Sequence, residues 1–305
     1  MVELKPATTY EEQLQILKNR GVFISDETFC LQKLEEINYY RLTAYFLPFR
    51  THENTYRPGT SFHTVYRIYD FDRKMRRLLF SAIEEVEVYL RAKFAYYYAH
   101  KYSSDSFKYH DPSEPDQYKE YPILENWDLS HFSKNLKPEK FQKDLDWDIY
   151  HNRKTPFVRH HIEHYDGCFP IWVLVEIFSF GKLSCFYSDL LTSDKKSLAR
   201  TLYHTTHGNL SSWLRCITDL RNICAHYGRL YYRRLPAIPA GLDIPEQDKR
   251  RLWGAVLALK ELYPNRDKWN SEFLPAMEAL ITEYHGDINL RCIGFPDNWD
   301  IQLKK

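Results

Sequence analysis

The sequence predicts an all-α protein, a helical bundle, and three features carry that expectation. Glycine is scarce, at 10 of 305 residues, and valine is far less common than leucine, whereas parallel sheets need glycine turns and runs of branched residues. Between Thr64 and Tyr102 there is neither proline nor glycine, while apolar residues recur at Val65, Ile68, Met75, Leu79, Ile83, Val86, Leu90 and Phe94. That spacing draws one apolar stripe along a long amphipathic helix. Aromatic residues make up 16% of the chain, with 24 tyrosines, which implies an aromatic core whose hydroxyls need partners at its edges.

Taken in order, Thr8 and Glu11 form a capping-box pattern ahead of Leu14, Ile16 and Leu17, predicting a first helix stopped at Gly21. Ser25, Asp26 and Glu27 open a second, which carries Phe29, Leu31, Leu34 and Ile37 into an aromatic stretch ended by Pro48. Residues 50 to 62 read as a loop. On the polar side of the long helix that follows, Glu87 precedes Arg91 by four, the favourable orientation for a helical ion pair, with Glu84 beside them. Arg73, Lys74, Arg76 and Arg77 form either a local patch for a phosphate backbone or, with Asp70 and Asp72, an ordinary ion-pair face.

Residues 103 to 166, punctuated by Pro112, Pro115, Pro122, Pro138 and Pro156, read as an excursion of short helices and loops. A helix from Pro170 to Gly181 follows, then short helices over 183 to 191 and 195 to 203. A helix over 209 to 233 and two tail helices, 247 to 262 and 271 to 285, complete the pattern. The implied organisation is an N-terminal helical segment (1–62), a core that includes the excursion (63–235) and a C-terminal helical extension (236–305).

Forty-two basic residues against 41 acidic ones give a net charge of +1, so no global field draws the chain to nucleic acid or membrane, and any polyanion must be held by a local patch. Six cysteines, none in a C-x-x-C pair, point to reduced thiols and a cytoplasmic location. The start lacks a basic segment followed by an apolar one, and the most apolar run, Ile171 to Phe178, is interrupted by Glu176. Neither a signal peptide nor a membrane span is expected. His160 and His164 stand four apart without a fixed third ligand, so no metal and no cofactor is expected, although a metal hydrolase built on them is the weakest of three readings.

The helix over 209 to 233 stands apart. At about 100° per residue, Trp213, Ile217, Leu220, Cys224, Tyr227 and Tyr231 share a core-facing stripe, and Arg215, Asp219, Asn222, His226, Arg229 and Arg233 share the opposite one. Arg221 lies on the shoulder between them. Histidine exchanges a proton near neutral pH, arginine clamps a phosphate and stabilises charge on phosphorus, and asparagine orients either. RNA brings its own nucleophile, the 2′-hydroxyl, so these groups suffice for strand cleavage. A surface histidine with incidental arginines fits the spacing equally.

The string Arg221-Asn222-Ile223-Cys224-Ala225-His226 resembles the R-N-x-x-x-H signature of HEPN-domain ribonucleases. With Ile37-Asn38-Tyr39-Tyr40-Arg41-Leu42, Tyr69-Asp70-Phe71-Asp72-Arg73, Ile83-Glu84 with Val86-Glu87 and Arg91, Pro170-Ile171-Trp172, Phe180-Gly181-Lys182-Leu183-Ser184 and Gly294-Phe295-Pro296, the chain resembles the AbiD/AbiF branch of abortive-infection proteins over roughly residues 8 to 300. The resemblance implies an all-helical HEPN core that forms a homodimer, and a metal-independent endoribonuclease of antiphage defence that leaves a 2′,3′-cyclic phosphate and a 5′-hydroxyl. A regulatory small RNA or an antitoxin is a candidate partner, and the residues do not reveal whether either restrains the activity. By the same resemblance His226 is the acid/base, Arg221 the phosphate clamp and Asn222 the orienting group. Arg215, Arg229, Arg233 and Tyr227 are expected to contact RNA or support the site, and Glu84, Glu87 and Arg91, which match the family's helix, either position the motif helix or serve ordinary helix packing through an i,i+4 pair. The chain departs from the family at Leu230-Tyr231-Tyr232-Arg233, where many relatives carry L-W-N-R. The alternative is a non-catalytic RNA-binding or RNA-sensing module.

Overall fold

The computed structural model describes residues 6–113 and 121–304, and it is an all-α bundle. Pro115 and residues 1–5, part of the start in which no secretory signal is expected, lie outside the described residues. Helix α1 (Tyr10–Asn19) is capped by Thr9, one residue later than the Thr8 pattern suggests. The Thr9 hydroxyl accepts from the Glu12 N–H at 3.2 Å and the Glu12 carboxylate accepts from the Thr9 N–H at 2.7 Å. Helix α2 (Glu27–Glu36) starts from Asp26, whose carboxylate accepts from the Phe29 N–H. The single run expected through the aromatic stretch is broken. Ile37 is extended, and Asn38 recaps a new helix, α3 (Tyr39–Thr43), by accepting from the Tyr40 N–H.

Helix α4 (Phe62–Lys101) is 40 residues long and buries the stripe from Val65 to Phe94. The excursion that follows is closed at its neck by a feature absent from the expectation, a two-stranded antiparallel sheet of β1 (Ser106–Lys108) and β2 (Cys168–Pro170), with Phe107 opposite Phe169. Both rings are buried, so the pairing forms where the excursion's two ends meet over the core. Between the strands lie α5 (Pro138–Asn152) and α6 (Pro156–His164). Asp146 on α5 accepts from the His110 N–H at 2.9 Å and from Gln142 at 2.7 Å.

The helix expected from Pro170 to Gly181 is two. Helix α7 (Ile171–Ile177) ends at extended Phe178, and α8 (Phe180–Asp189) restarts from Ser179, whose hydroxyl accepts from the Lys182 N–H. Gly181 is therefore not a stop. It lies in the first turn of α8, where a Cβ would stand 3.5 Å from the Thr218 methyl. Helix α9 (Thr192–Tyr203) leads to α10 (His207–Ala225), and the extension supplies α11 (Leu252–Leu262), α12 (Leu274–Glu283) and α13 (Trp299–Leu303). A π-helical turn, Trp269–Phe273, runs into α12.

The packing places α4 at the centre, with α7, α8 and α10 against it and α11 and α12 closing the remaining side. One hydrophobic cluster runs from Leu14 to Leu303. Tyrosine hydroxyls at its edges reach buried acids, as expected. Tyr98 donates to Asp105 at 2.6 Å, and Tyr97 and Tyr102 donate to the fully buried Asp194 at 3.0 and 2.7 Å. Among the described residues, no helix is long and apolar enough to cross a membrane.

Gly254, in the first turn of α11, offers a test of this packing. Helix propensity alone favours Gly254→Ala by about 1 kcal/mol, but the added Cβ would stand 2.6 Å from the Lys249 carbonyl oxygen. Backbone cannot give way as a side chain does, so the substitution lowers stability by roughly 1–3 kcal/mol, read as a fall in the thermal unfolding midpoint.

Candidate functional site

The site begins where α10 stops. Its last turn carries Arg221 and Asn222, His226 is the C-cap, and Tyr227 takes the left-handed conformation at φ +57°. The Tyr227 N–H donates to the Cys224 carbonyl at 3.2 Å and the Gly228 N–H to the Ile223 carbonyl at 2.7 Å, the paired bonds of a Schellman turn. This stop overturns the helix expected to run to residue 233. It also rearranges the two stripes: Trp213, Ile217, Leu220, Cys224 and Tyr231 are buried as expected, but Tyr227 is 68% exposed. Arg229 and Arg233 lie beyond the turn and do not continue the row of Arg215 and Asn222. Arg229 donates to the Ala44 carbonyl, Arg233 is exposed, and Asp219 turns to accept from the Ala237 N–H at 3.1 Å.

The segment after the turn is fastened to α3 and α4. Arg41 donates to the Tyr227 carbonyl at 2.6 Å and Arg76 to the Gly228 carbonyl at 3.2 Å. Buried Asp72 on α4 accepts from the N–H groups of Leu230 and Tyr231 at 3.1 and 2.8 Å and from the Tyr45 hydroxyl at 2.6 Å, and it pairs with Arg76. Burial pushes the Asp72 carboxyl up, while Arg76 and the other donors pull against it. The expected basic patch is thus mostly an ion-pair face: Arg73 pairs with Asp70 and Lys74 with Glu283. Only Arg77 of the four makes no ion pair or hydrogen bond among the described residues.

Arg221 points toward α4. Its Nε lies 4.0 Å from a Glu87 oxygen and its guanidinium carbon 5.9 Å from the Phe80 ring centre. That Nε is enclosed and has no hydrogen-bond partner. Glu87 in turn pairs with Arg91, and Arg91 donates to the carbonyls of Val175, Glu176 and Phe178 at 2.8, 2.6 and 2.5 Å. Val175 and Glu176 lie in the last turn of α7 and Phe178 is its C-cap, the negative end of the helix, where carbonyls draw partners from outside it. The pair fixes α4 to α7 and presents Glu87 to Arg221.

A trough follows the exposed face of α4. A cavity of about 210 Å³ is lined by Phe80, Glu84, Glu87, Arg91, Glu176 and Arg221. It shares Phe80 and Glu84 with a larger one of about 720 Å³, whose walls include Arg41, Tyr69, Arg77 and Tyr227. Asn222 and His226 are exposed and line neither. One chain therefore brings Arg221, Glu87 and Arg91 together and leaves His226 apart, as expected for residues five apart on a helix, about 140° around and about 7.5 Å along its axis. Arg215 is exposed more than one turn upstream.

Burial pushes the Cys224 thiol up to about 12, so the cysteine inside the motif is a packing residue without thiolate chemistry. His160 and His164 are exposed, their rings 4.9 Å apart. Among the described residues no group of three or more His, Cys, Asp or Glu is placed to hold a metal ion. Phe80, Tyr69 and Arg41 escaped the sequence reading as parts of the site, as did Asp72 as its anchor. One signal for Asp72 was present: Ile68, Asp72, Arg76 and Leu79 share helical spacing, which sets a charged pair inside the apolar stripe.

Replacing Asp72 by Asn keeps the shape and removes the charge facing buried Arg76. The expected cost is about 3 kcal/mol, read by chemical denaturation, against about 1 kcal/mol for Tyr45→Phe, which removes a single donor.

The chain matches the family model for Abi-like proteins over residues 32–232, which takes in α3, α4, the excursion and all of α10 with its terminal turn. No curated protein and no solved structure matches it. With that match covering most of the chain and both walls of the trough, the protein belongs to the Abi-like family.

Proposed function

We propose that this Abi-like chain is a HEPN endoribonuclease of the AbiD/AbiF branch, acting in the cytoplasm in abortive-infection defence. Family membership points to that defence role. The observation that carries the nuclease reading is the end of α10: Arg221 lines the trough beside the Glu87–Arg91 pair, with His226 exposed at the helix exit.

In the proposed reaction the ribose 2′-oxygen attacks the adjacent phosphorus as the bond from phosphorus to the 5′-oxygen breaks. A base takes the 2′-hydroxyl proton, an acid protonates the departing 5′-oxygen, and a cation meets the charge on the phosphoryl oxygens. His226 is suited to either proton transfer, Arg221 to the charge, and exposed Asn222 to orienting the imidazole or a phosphate oxygen. Because one chain separates Arg221 from His226, the reading includes a homodimer in which two copies of α10 complete one cleft. The surface beside Arg221 supports it: Val88, 62% exposed, lines the small cavity, and Trp172, 55% exposed, lies one helical turn from Glu176 on α7. Restraint by a small RNA or an antitoxin belongs to the same proposal.

Purified protein should cut RNA in the presence of EDTA and leave 2′,3′-cyclic phosphate ends. Arg221→Ala and His226→Ala should each slow cleavage by at least roughly 100-fold with unchanged thermal midpoints. Full activity in either variant removes the site assignment, and salt-dependent RNA binding without cleavage supports the binding-module alternative. Val88→Asp should shift the protein toward monomer in sedimentation and reduce cleavage with it.

A further inference from the structure

We propose that the larger half of the trough is the subsite for two consecutive unpaired nucleotides of the RNA chain, with Arg77 as the phosphate contact and Phe80 and Tyr227 each stacking one base. The substrate assignment rests on the endoribonuclease reading; the site itself rests on three observations about side chains with nothing else to do.

The first is charge. Four arginines line the cavity, and three are committed: Arg41 to the Tyr227 carbonyl, Arg73 to Asp70 and Arg76 to Asp72. Arg77 is exposed and makes no ion pair or hydrogen bond among the described residues. Of the two carboxylates on the walls, Glu36 is paired with Lys33, and Glu84 sits at the saddle toward Arg221. A phosphate at Arg77 meets an uncommitted guanidinium.

The second is the backbone of Tyr227. At that position of a Schellman turn glycine is favoured, and a side-chain-bearing residue in the left-handed region costs about 1 kcal/mol or more. Tyrosine accepts that cost while the residue stays 68% exposed, so its ring adds little to folding. Strain of this kind persists at binding sites.

The third is continuity. Phe80 is 38% exposed and lines both cavities, with the Arg221 guanidinium carbon 5.9 Å from its ring centre. A base resting on Phe80 therefore lies next to the proposed clamp, and its neighbour along the strand reaches Tyr227 and Arg77. Stacking on side chains requires bases freed from a duplex, which makes the substrate single-stranded. The cavity of about 720 Å³ falls in the range that holds small ligands.

The test uses a 2′-O-methyl RNA oligonucleotide, which lacks the attacking hydroxyl, titrated across salt concentrations. Arg77→Ala should weaken binding and reduce the log–log salt slope by about 0.7. Phe80→Ala and Tyr227→Gly should each weaken it roughly tenfold, and Tyr227→Gly should raise the thermal midpoint at the same time. A Tyr227→Gly protein that is more stable and binds as wild type overturns the proposal, as does cleavage by wild type with binding indifferent to all three changes. Nucleoside monophosphates binding as tightly as the oligonucleotide would place a free nucleotide there and likewise overturn it. Wild type that binds through Arg77 and Tyr227 but never cleaves leaves the RNA subsite standing and removes the endoribonuclease reading alone.

Discussion

The carboxylate of Asp72 is the point on which the site depends. It sits 1% exposed in the first third of α4, where an isolated charge would cost several kcal/mol. Four donors converge on it from three parts of the chain: Arg76 on α4 itself, the Tyr45 hydroxyl just after α3, and the N–H groups of Leu230 and Tyr231 beyond the motif. Arg76 reaches on to the Gly228 carbonyl. Because these groups leave water together or not at all, the turn that ends α10 is set in register with α4. The floor of the trough is α4, its walls are α3 and the turn, and Asp72 joins all three.

The same device recurs and employs several of the 24 tyrosines. Tyr98 with Asp105, Tyr97 and Tyr102 with Asp194, and Tyr284 with Asp70 each place a large ring in the core and a hydroxyl on a carboxylate. Trp127 adds its indole N–H to the Tyr98 hydroxyl. At Asp70 and Asp194 a cation shares the carboxylate with the tyrosine, Arg73 at the first and Lys101 at the second, so neutral and charged donors meet these buried acids together. Two arginines beside Glu87 are used in opposite ways. Arg91 is spent on three carbonyls and Glu87, whereas Arg221 keeps an enclosed Nε without a partner.

Helix α4 was legible in the sequence because its apolar positions keep helical period over ten turns with no breaker. The exit of α10 was not. Continuing the wheel past Ala225 assumed helical backbone at Tyr227, and only Gly228 hinted otherwise. A Cβ at Gly228 would stand 3.1 Å from Ile223 Cγ2, so the glycine permits the close return while the left-handed residue itself is a tyrosine. The break at Ile37 had a readable cue in the capping side chain of Asn38. The β1–β2 pairing had none, since three-residue strands some 60 positions apart are set by where the excursion's ends meet the core. The separation of Arg221 from His226 was readable, because it follows from helical geometry within the intact part of α10.

Charge along the trough is uneven in a way that totals of 42 basic and 41 acidic residues conceal. Around Arg221 stand Glu84, Glu87 and Glu176, which looks hostile to a phosphate. Glu87, however, is already paired with Arg91 at hydrogen-bond range and stands 4.0 Å from Arg221. Its negative charge is largely answered there, so Arg221 is positioned by Glu87 without being neutralised by it. Glu84 and Glu176 are exposed, and solvent and salt screen them more than they screen the partly buried Arg221 guanidinium. Under the nuclease reading, a phosphate brought into the trough meets a guanidinium that no hydrogen bond occupies and whose charge is still available. The acidic neighbours then act as an orienting frame, and the attraction for the strand comes from Arg77, beyond Phe80.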